Sequence, residues 1–250
     1  MFEPDTRLPT NVVPAVNYGK RASHLPIDIL LLHYTGMESG DAAIDWLCCE
    51  ESGVSCHYVV SENGDIHQLV PEKERAWHAG QSSWQGERDT NSRSIGIEIV
   101  NPGHEHGYPD FPAVQIERVA ALSADIIKRH AIPARNVLAH SDVAIGRKRD
   151  PGEKFPWRIL HDAGVGVWVE ENTDTSVFLV PGDNSEMVGA AQGMLITYGY
   201  DLHLDGEYGD SLSRAVAAFQ RHFRPSHVSG LMDKGTFLTL ERLLKKTLTV

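Results

Sequence analysis

The short apolar run PIDILLLHYTG, bounded by Pro26 and Gly36, reads as a buried strand with His33 at its C-terminal end. In α/β proteins that end of a strand is where sites gather. DAAIDWLCCEE follows as a helix, with Gly40 or Asp41 near its cap and Ile44, Leu47 and Cys48 on one face. CHYVVSENGDIHQLV holds two alternating runs joined around Asn63-Gly64, the pattern of a hairpin. In SRSIGIEIVN the alternation is clean: Ile95, Ile97 and Ile99 share one face, while Ser94, Gly96 and Glu98 project from the other. PAVQIERVAALSADIIKRHAI carries Ile116, Val119, Leu122, Ile126 and Ile127 at helical spacing and stops before Pro133. RNVLAH is a short strand ending in His140. Strands and helices in this order predict an α/β (α+β) domain with a mixed central β-sheet flanked by helices.

Nearer the C-terminus the pattern changes. The acidic, polar stretch EENTDTS reads as a linker. Beyond it, Met187, Ala190, Ala191, Met194, Leu195 and Tyr198 fall on one helical stripe; Leu212, Ala215, Val216, Phe219 and Phe223 make a second. Phe237, Leu240, Leu243 and Leu244 make a third, so a small three-helix bundle domain is expected after the first. The expected boundaries are 1–172 and 173–250.

Composition narrows the class. The 250 residues are 41% hydrophobic and 23% charged, enough apolar material for a globular core. No window approaches the ~18 apolar residues of a membrane span. A formal net charge of -11 argues against a nucleic-acid partner, which leaves a basic footprint. The start, MFEPDTRLPTNVVPAVNYGKR, lacks a basic region followed by an apolar one, so the cytoplasm is the expected compartment. Cys48, Cys49 and Cys56 fit no paired disulfide framework and suit a reducing environment.

Thirteen histidines direct attention to metal chemistry. His33 and His140 both end apolar runs, and Asp150 lies in a turn fixed by Pro151. Two neutral imidazoles and a carboxylate suit Zn2+, leaving a fourth position for water. Spacing alone leaves a second reading open, in which the histidines are satisfied at the core edge and Asp150 merely turns the chain. Glu98, on a strand between isoleucines, either lies on an exposed face of the sheet or needs a cation or a task, for which general base is the natural one. Lys148, two residues before Asp150, is placed to stabilise an oxyanion, whereas its neighbours Arg147 and Arg149 read as solvated cations. RAWHAG suits the wall of a ligand cleft, and Cys56 with His57 offers a nucleophile pair or a small buried hydrophobe.

LLHYTG, SCHYVVSENGDIHQLVPEKERAWHAG, NSRSIGIEIVN and LAHSDVAIGRKRDPGEKFPW together resemble the N-acetylmuramoyl-L-alanine amidase type 2 family, in its AmpD- and AmiD-like branch. The resemblance covers roughly residues 10 to 170 in the family's order. It implies that His33, His140 and Asp150 are the ligands of one catalytic zinc, that Glu98 activates water, and that Lys148 stabilises the transition state. It places His78 near the substrate cleft, and Trp77 and Arg93 are further candidates for substrate contact. The C-terminal part, with Gly199-Tyr200, the turn from Asp205 to Gly209 and the helix from Ala215 to Gln220, is similar to the peptidoglycan-binding domain that accompanies many wall hydrolases. The segment RHFRPSHVSG departs mildly from that pattern, which bears on glycan binding more than on the fold. The implied partners are muropeptides or the murein polymer. The implied reaction is hydrolysis of the amide between (anhydro-)N-acetylmuramic acid and L-alanine; a muropeptide-recognition protein that does not cut is the alternative. Relatives of the AmiD type are exported, so the periplasm or envelope is the alternative compartment.

Overall fold

The computed structural model describes residues 2–248. Its strands are β1 (Thr10–Val12), β2 (Tyr18–Lys20), β3 (Ile29–Tyr34), β4 (Tyr58–Val60), β5 (Ile66–Gln68), β6 (Glu74–Ala76), β7 (Ser94–Ile99) and β8 (Val137–Ala139). Its helices are α1 (Gly40–Cys48), α2 (Thr90–Arg93), α3 (Ala113–His130), α4 (His140–Val143), α5 (Trp157–Asp162), α6 (Glu186–Tyr198), α7 (Asp210–Phe223) and α8 (Lys234–Leu248). Six strands form one mixed sheet in the order β1-β5-β4-β7-β3-β8, and β2 pairs with β6 apart from it. Parallel β7 and β8 flank β3, which is buried from Ile29 to His33. A strand covered on both faces has no polar side to alternate with, hence its continuous apolar run. The expected hairpin is present: β4 and β5 are antiparallel, and Gly64 takes φ 87° in the turn between them.

Helix α3 lays Ile116, Val119, Leu122 and Ile126 on the sheet face formed by Leu30, Leu32, Ile95, Ile97 and Ile99. On the other face, Ile29, Leu31 and Leu138 share a core with Val188, Leu195, Phe219 and Phe223. The C-terminal helices therefore cover the sheet itself. The stretch 170–176 contains neither helix nor strand. Among the described residues no helix is long and apolar enough to cross a membrane.

Two local expectations shift. The N-cap of α1 is Ser39, whose side chain accepts from the Ala42 amide, just before the expected Gly40 or Asp41. In α6 the buried face is Val188, Ala191, Gln192, Leu195 and Tyr198, while Met187 is 46% exposed. Apolar residues surround most of this helix, so its sequence defines no unique face and tertiary packing chooses between adjacent stripes.

A buried carboxylate ties the two parts of the chain together. Asp142, in α4, accepts from the Ala139 amide at 2.8 Å, from the Tyr200 hydroxyl at 2.7 Å and lies 2.7 Å from His222 Nδ1. The His222 ring is sandwiched between Trp157 and Phe223, with ring centroids 3.7 and 3.9 Å away. Nearby, Trp84 stands edge-on to Tyr198 and Tyr200, and Gly199 leaves it room: a β-carbon there would fall 2.6 Å from the indole. His57 links β7 to β6. Its Nδ1 accepts from the Gly96 amide at 3.0 Å, and its Nε2 lies 3.1 Å from the Glu74 carbonyl and 2.9 Å from the Arg21 guanidinium. Burial, assisted by the Arg21 charge, lowers its pKa to about 3. The paired role of His57 and the buried, raised thiol of Cys56 leave no activated nucleophile there.

Three outcomes follow from this packing. Asp142→Ala strands three buried groups and lowers the unfolding free energy by about 3 kcal/mol or more, as read by denaturant titration; a change within ~0.5 kcal/mol would show the cluster to be idle. Val188→Ala costs about 2 kcal/mol, whereas Met187→Ala leaves stability unchanged within ~0.5 kcal/mol; the reverse ranking would restore the stripe expected from sequence. The unfolded chain protonates His57 near its ordinary value and the folded one does not until about pH 3, so this contribution is complete above ~6.5 and is lost as pH falls. Imidazole nitrogen shifts should report neutral His57 at pH 5, and a protonated ring there would refute it.

Candidate metal centre and active site

His33 is the fifth residue of β3, on the same face as Ile29 and Leu31, where the cover of the C-terminal helices gives way to a cavity of about 380 Å3. β8 ends at Ala139, and His140 opens α4 one residue beyond the Leu32–Ala139 pairing. Asp150 reaches the same point from the loop after α4, where its carbonyl accepts from the Ser141 amide at 3.0 Å. The Nδ1 atoms of His33 and His140 are 2.9 Å apart, and Asp150 Oδ2 lies 3.1 Å from the first and 2.9 Å from the second. These buried side chains form a group able to hold a metal ion. His140 Nε2 faces the Ala79 carbonyl at 3.1 Å; a carbonyl only accepts, so Nε2 holds the proton and Nδ1 presents a lone pair.

The electrostatics agree with that donor set. Burial, reinforced by His140, lowers the His33 pKa to about 4. Burial works to raise the Asp150 carboxyl, but the facing His140 and His33 outweigh it and hold it well below the usual range. A neutral imidazole and an ionised carboxylate are the forms in which these groups bind metals.

Glu98 is the register partner of His33 in the parallel β3–β7 pair, so the two side chains share a face. Its Oε2 is shielded from solvent and has no hydrogen-bond partner among the described residues. Burial raises its pKa well above the ordinary value and the Asp150 charge adds to this, while Lys148 opposes it. An orphaned buried carboxylate oxygen beside a ligand cluster is a group kept ready for a partner absent from the protein itself.

The three consecutive cations part company. Arg147 donates to the carbonyls of Ala79 at 2.6 Å and Gln81 at 2.8 Å, bracing the segment that faces His140. Arg149 pairs with Glu105 at 2.6 Å on the surface, and Lys148 lines the cavity. Trp77 and His78 line it as well. Arg93 does not: its guanidinium grips Asp28 at 2.6 and 2.8 Å and the Trp84 carbonyl at 3.0 Å. It immediately precedes β7, and five residues of extended chain separate it by roughly 16 Å from the Glu98 end of the strand. Sequence reasoning passed over Trp46 and Tyr34, which also line the cavity. Trp46 carried a signal, since it lies off the Ile44–Leu47 face of α1 and is 48% exposed.

Comparison with known proteins agrees with this geometry. The family model described as N-acetylmuramoyl-L-alanine amidase matches residues 23–153, and one for a peptidoglycan binding domain matches residues 184–240. The chain is 36% identical to N-acetylmuramoyl-L-alanine amidase AmiD of Escherichia coli, over 90% of this chain and 85% of that protein. It is 32% identical to the 1,6-anhydro-N-acetylmuramyl-L-alanine amidase AmpD of Citrobacter freundii, over 58% and 84%. The solved complex of E. coli AmiD with anhydro-N-acetylmuramic acid-L-Ala-D-gamma-Glu-L-Lys superposes with a TM-score of 0.74 at 34% identity, covering 91% of this chain and 93% of that one. AmpDh3 from Pseudomonas aeruginosa superposes with a TM-score of 0.75 at 30% identity, covering 99% of each chain. An amidase match across the ligand cluster and Glu98, together with relatives aligned along nearly the whole chain, shows that this protein belongs to the N-acetylmuramoyl-L-alanine amidase family.

Proposed function

We propose that this amidase is a zinc enzyme that hydrolyses the amide joining N-acetylmuramic acid, in its ordinary or 1,6-anhydro form, to the L-alanine of the stem peptide. The observation that carries the reading is the convergence of His33 Nδ1, His140 Nδ1 and Asp150 Oδ2 in one cavity with the unpartnered Oε2 of Glu98. Zinc held by those three atoms supplies Lewis acidity for the scissile carbonyl and acidifies water. Glu98 takes the proton from the attacking water and returns it to the alanine nitrogen as the amide breaks. A carboxylate raised by burial is suited to both halves of that transfer, because it holds a proton well enough to deliver it. Lys148, on the cavity wall, stabilises the oxyanion of the tetrahedral state. The apolar walls from Trp46, Leu47 and Trp77 exclude water and receive the substrate.

E. coli AmiD and P. aeruginosa AmpDh3 were solved with anhydromuramic peptides, which supports muropeptides as the substrate class here. The match over residues 184–240 supports murein polymer as a partner, and a division into a catalytic part at 1–172 and a glycan-binding part at 173–250. Free thiols at Cys48, Cys49 and Cys56 favour the cytoplasm. A recognition protein would need neither an unpaired buried carboxylate nor a cation beside it.

Mass spectrometry of defined anhydro- and ordinary muropeptides after incubation, with zinc content measured in parallel, tests the assignment. Free stem peptide should appear, vanish with a chelator and return with zinc. Glu98→Gln should keep its zinc and lose turnover by about 10²–10⁴-fold, whereas His33→Ala should lose both. A fully active Glu98→Gln enzyme would remove Glu98 from the chemistry, and cleavage indifferent to chelation would remove the metal.

A further inference from the structure

We propose that His78 is a positioning residue for the metal centre: through a hydrogen-bond relay that begins at the Thr90 carbonyl, it fixes His33 in the tautomer that turns a bare Nδ1 toward His140 and Asp150. The inference rests on the metal reading above and assigns the part of it that no ligand atom explains.

Each step of the relay is dictated by the one before. The Thr90 carbonyl can only accept, and Ser94 Oγ lies 2.7 Å from it, so the hydroxyl spends its single proton there. Ser94 Oγ must then accept from its other neighbour, His78 Nε2, at 3.3 Å. An imidazole that carries its one ring proton on Nε2 has a lone pair on Nδ1. That lone pair faces His33 Nε2 at 3.0 Å, with the two rings edge-on at 88°. His33 must donate from Nε2, and its Nδ1 is bare at the ligand cluster.

The surroundings are built for this relay. Ser94, Gly96 and Glu98 project from one face of β7, and a β-carbon at Gly96 would fall 2.6 Å from His78 Nδ1. Only glycine admits the ring. The Asn91 side-chain oxygen accepts from the amides of His78 at 3.1 Å and Ala79 at 2.9 Å. One dipeptide thus supports both ligand imidazoles, His33 through the His78 ring and His140 through the Ala79 carbonyl. Outer partners of this kind set ligand orientation and basicity, and their loss typically weakens metal binding about 10–100-fold.

The test compares wild type, His78→Phe, His78→Asn and Ser94→Ala in two readouts. Zinc affinity is measured by competition with a chelating dye. The His33 tautomer is read on metal-free protein from ring nitrogen–proton correlations. His78→Phe fills the space without an acceptor and should bind zinc about 10–100-fold more weakly, with His33 distributed over both tautomers. His78→Asn returns an oxygen acceptor near the position of Nδ1 and should recover most of the affinity, which a merely space-filling role would not predict. Ser94→Ala releases the His78 ring and should fall between. Wild-type affinity in His78→Phe, or an unchanged His33 tautomer in that variant, overturns the proposal. If wild-type protein binds no zinc, the zinc assignment fails instead, and the tautomer readout alone decides the role of His78.

Discussion

The parallel pairing of β3 with β7, with His33 opposite Glu98, is the constraint on which the site depends. Because strand side chains alternate, a slip of one residue would turn Glu98 into the face packed by α3 and set an isoleucine beside His33. The core forbids that slip. Ile95, Ile97 and Ile99 must all meet Ile116, Val119 and Ile126, and only the observed register buries them together. On the opposite edge of β3, the pairing of Leu32 with Ala139 brings the end of β8 level with the end of β3, and His140 follows at once. Two imidazoles and a carboxylate thus meet because three strands end close together.

The C-terminal helices support the same end of the sheet. They complete the core on the His33 face of the sheet, and His222 and Tyr200 hold Asp142, two residues beyond His140. A carboxylate buried at that point costs free energy unless every oxygen is partnered, and the partners are the nearby Ala139 amide and two side chains of the C-terminal part. The part that resembles a wall-binding module also fixes the short helix that opens on His140. Binding polymer and bracing the site are compatible tasks, since one surface can face outward while Phe219 and Phe223 face the sheet.

The hydrogen-bonding logic of the cavity is one of proton direction. Both imidazoles of the cluster, His33 and His140, turn Nε2 toward the His78–Ala79 segment and Nδ1 toward Asp150. Arg147 and Asn91 clamp that segment from either side through the Ala79 carbonyl and the His78 and Ala79 amides. Of the cation trio that stands out in an acidic chain, one member therefore stiffens the support, one pairs on the surface, and Lys148 alone faces the cavity.

Period-2 alternation in SRSIGIEIVN specified the face of Glu98, and the unbroken apolar run before His33 specified a central strand, because both follow from local geometry and burial. The strong stripe of α7 was legible for the same reason. Residue order also carried the amidase resemblance, since His33, Glu98, His140 and Asp150 each sit in a recognisable motif. What the sequence left open was decided by contacts between distant segments. Spacing held no statement that His33 and His140, 107 positions apart, would meet at 2.9 Å, because strand order is a long-range choice. Nor did it separate Arg93, drawn to Asp28 across the sheet end, from residues of the cleft. The burial of Val188 in place of Met187, and the relay from Thr90 to His33, exist only where separate elements pack against one another. A single strand fixes which way a side chain points; only the assembled sheet and its helices fix what it meets.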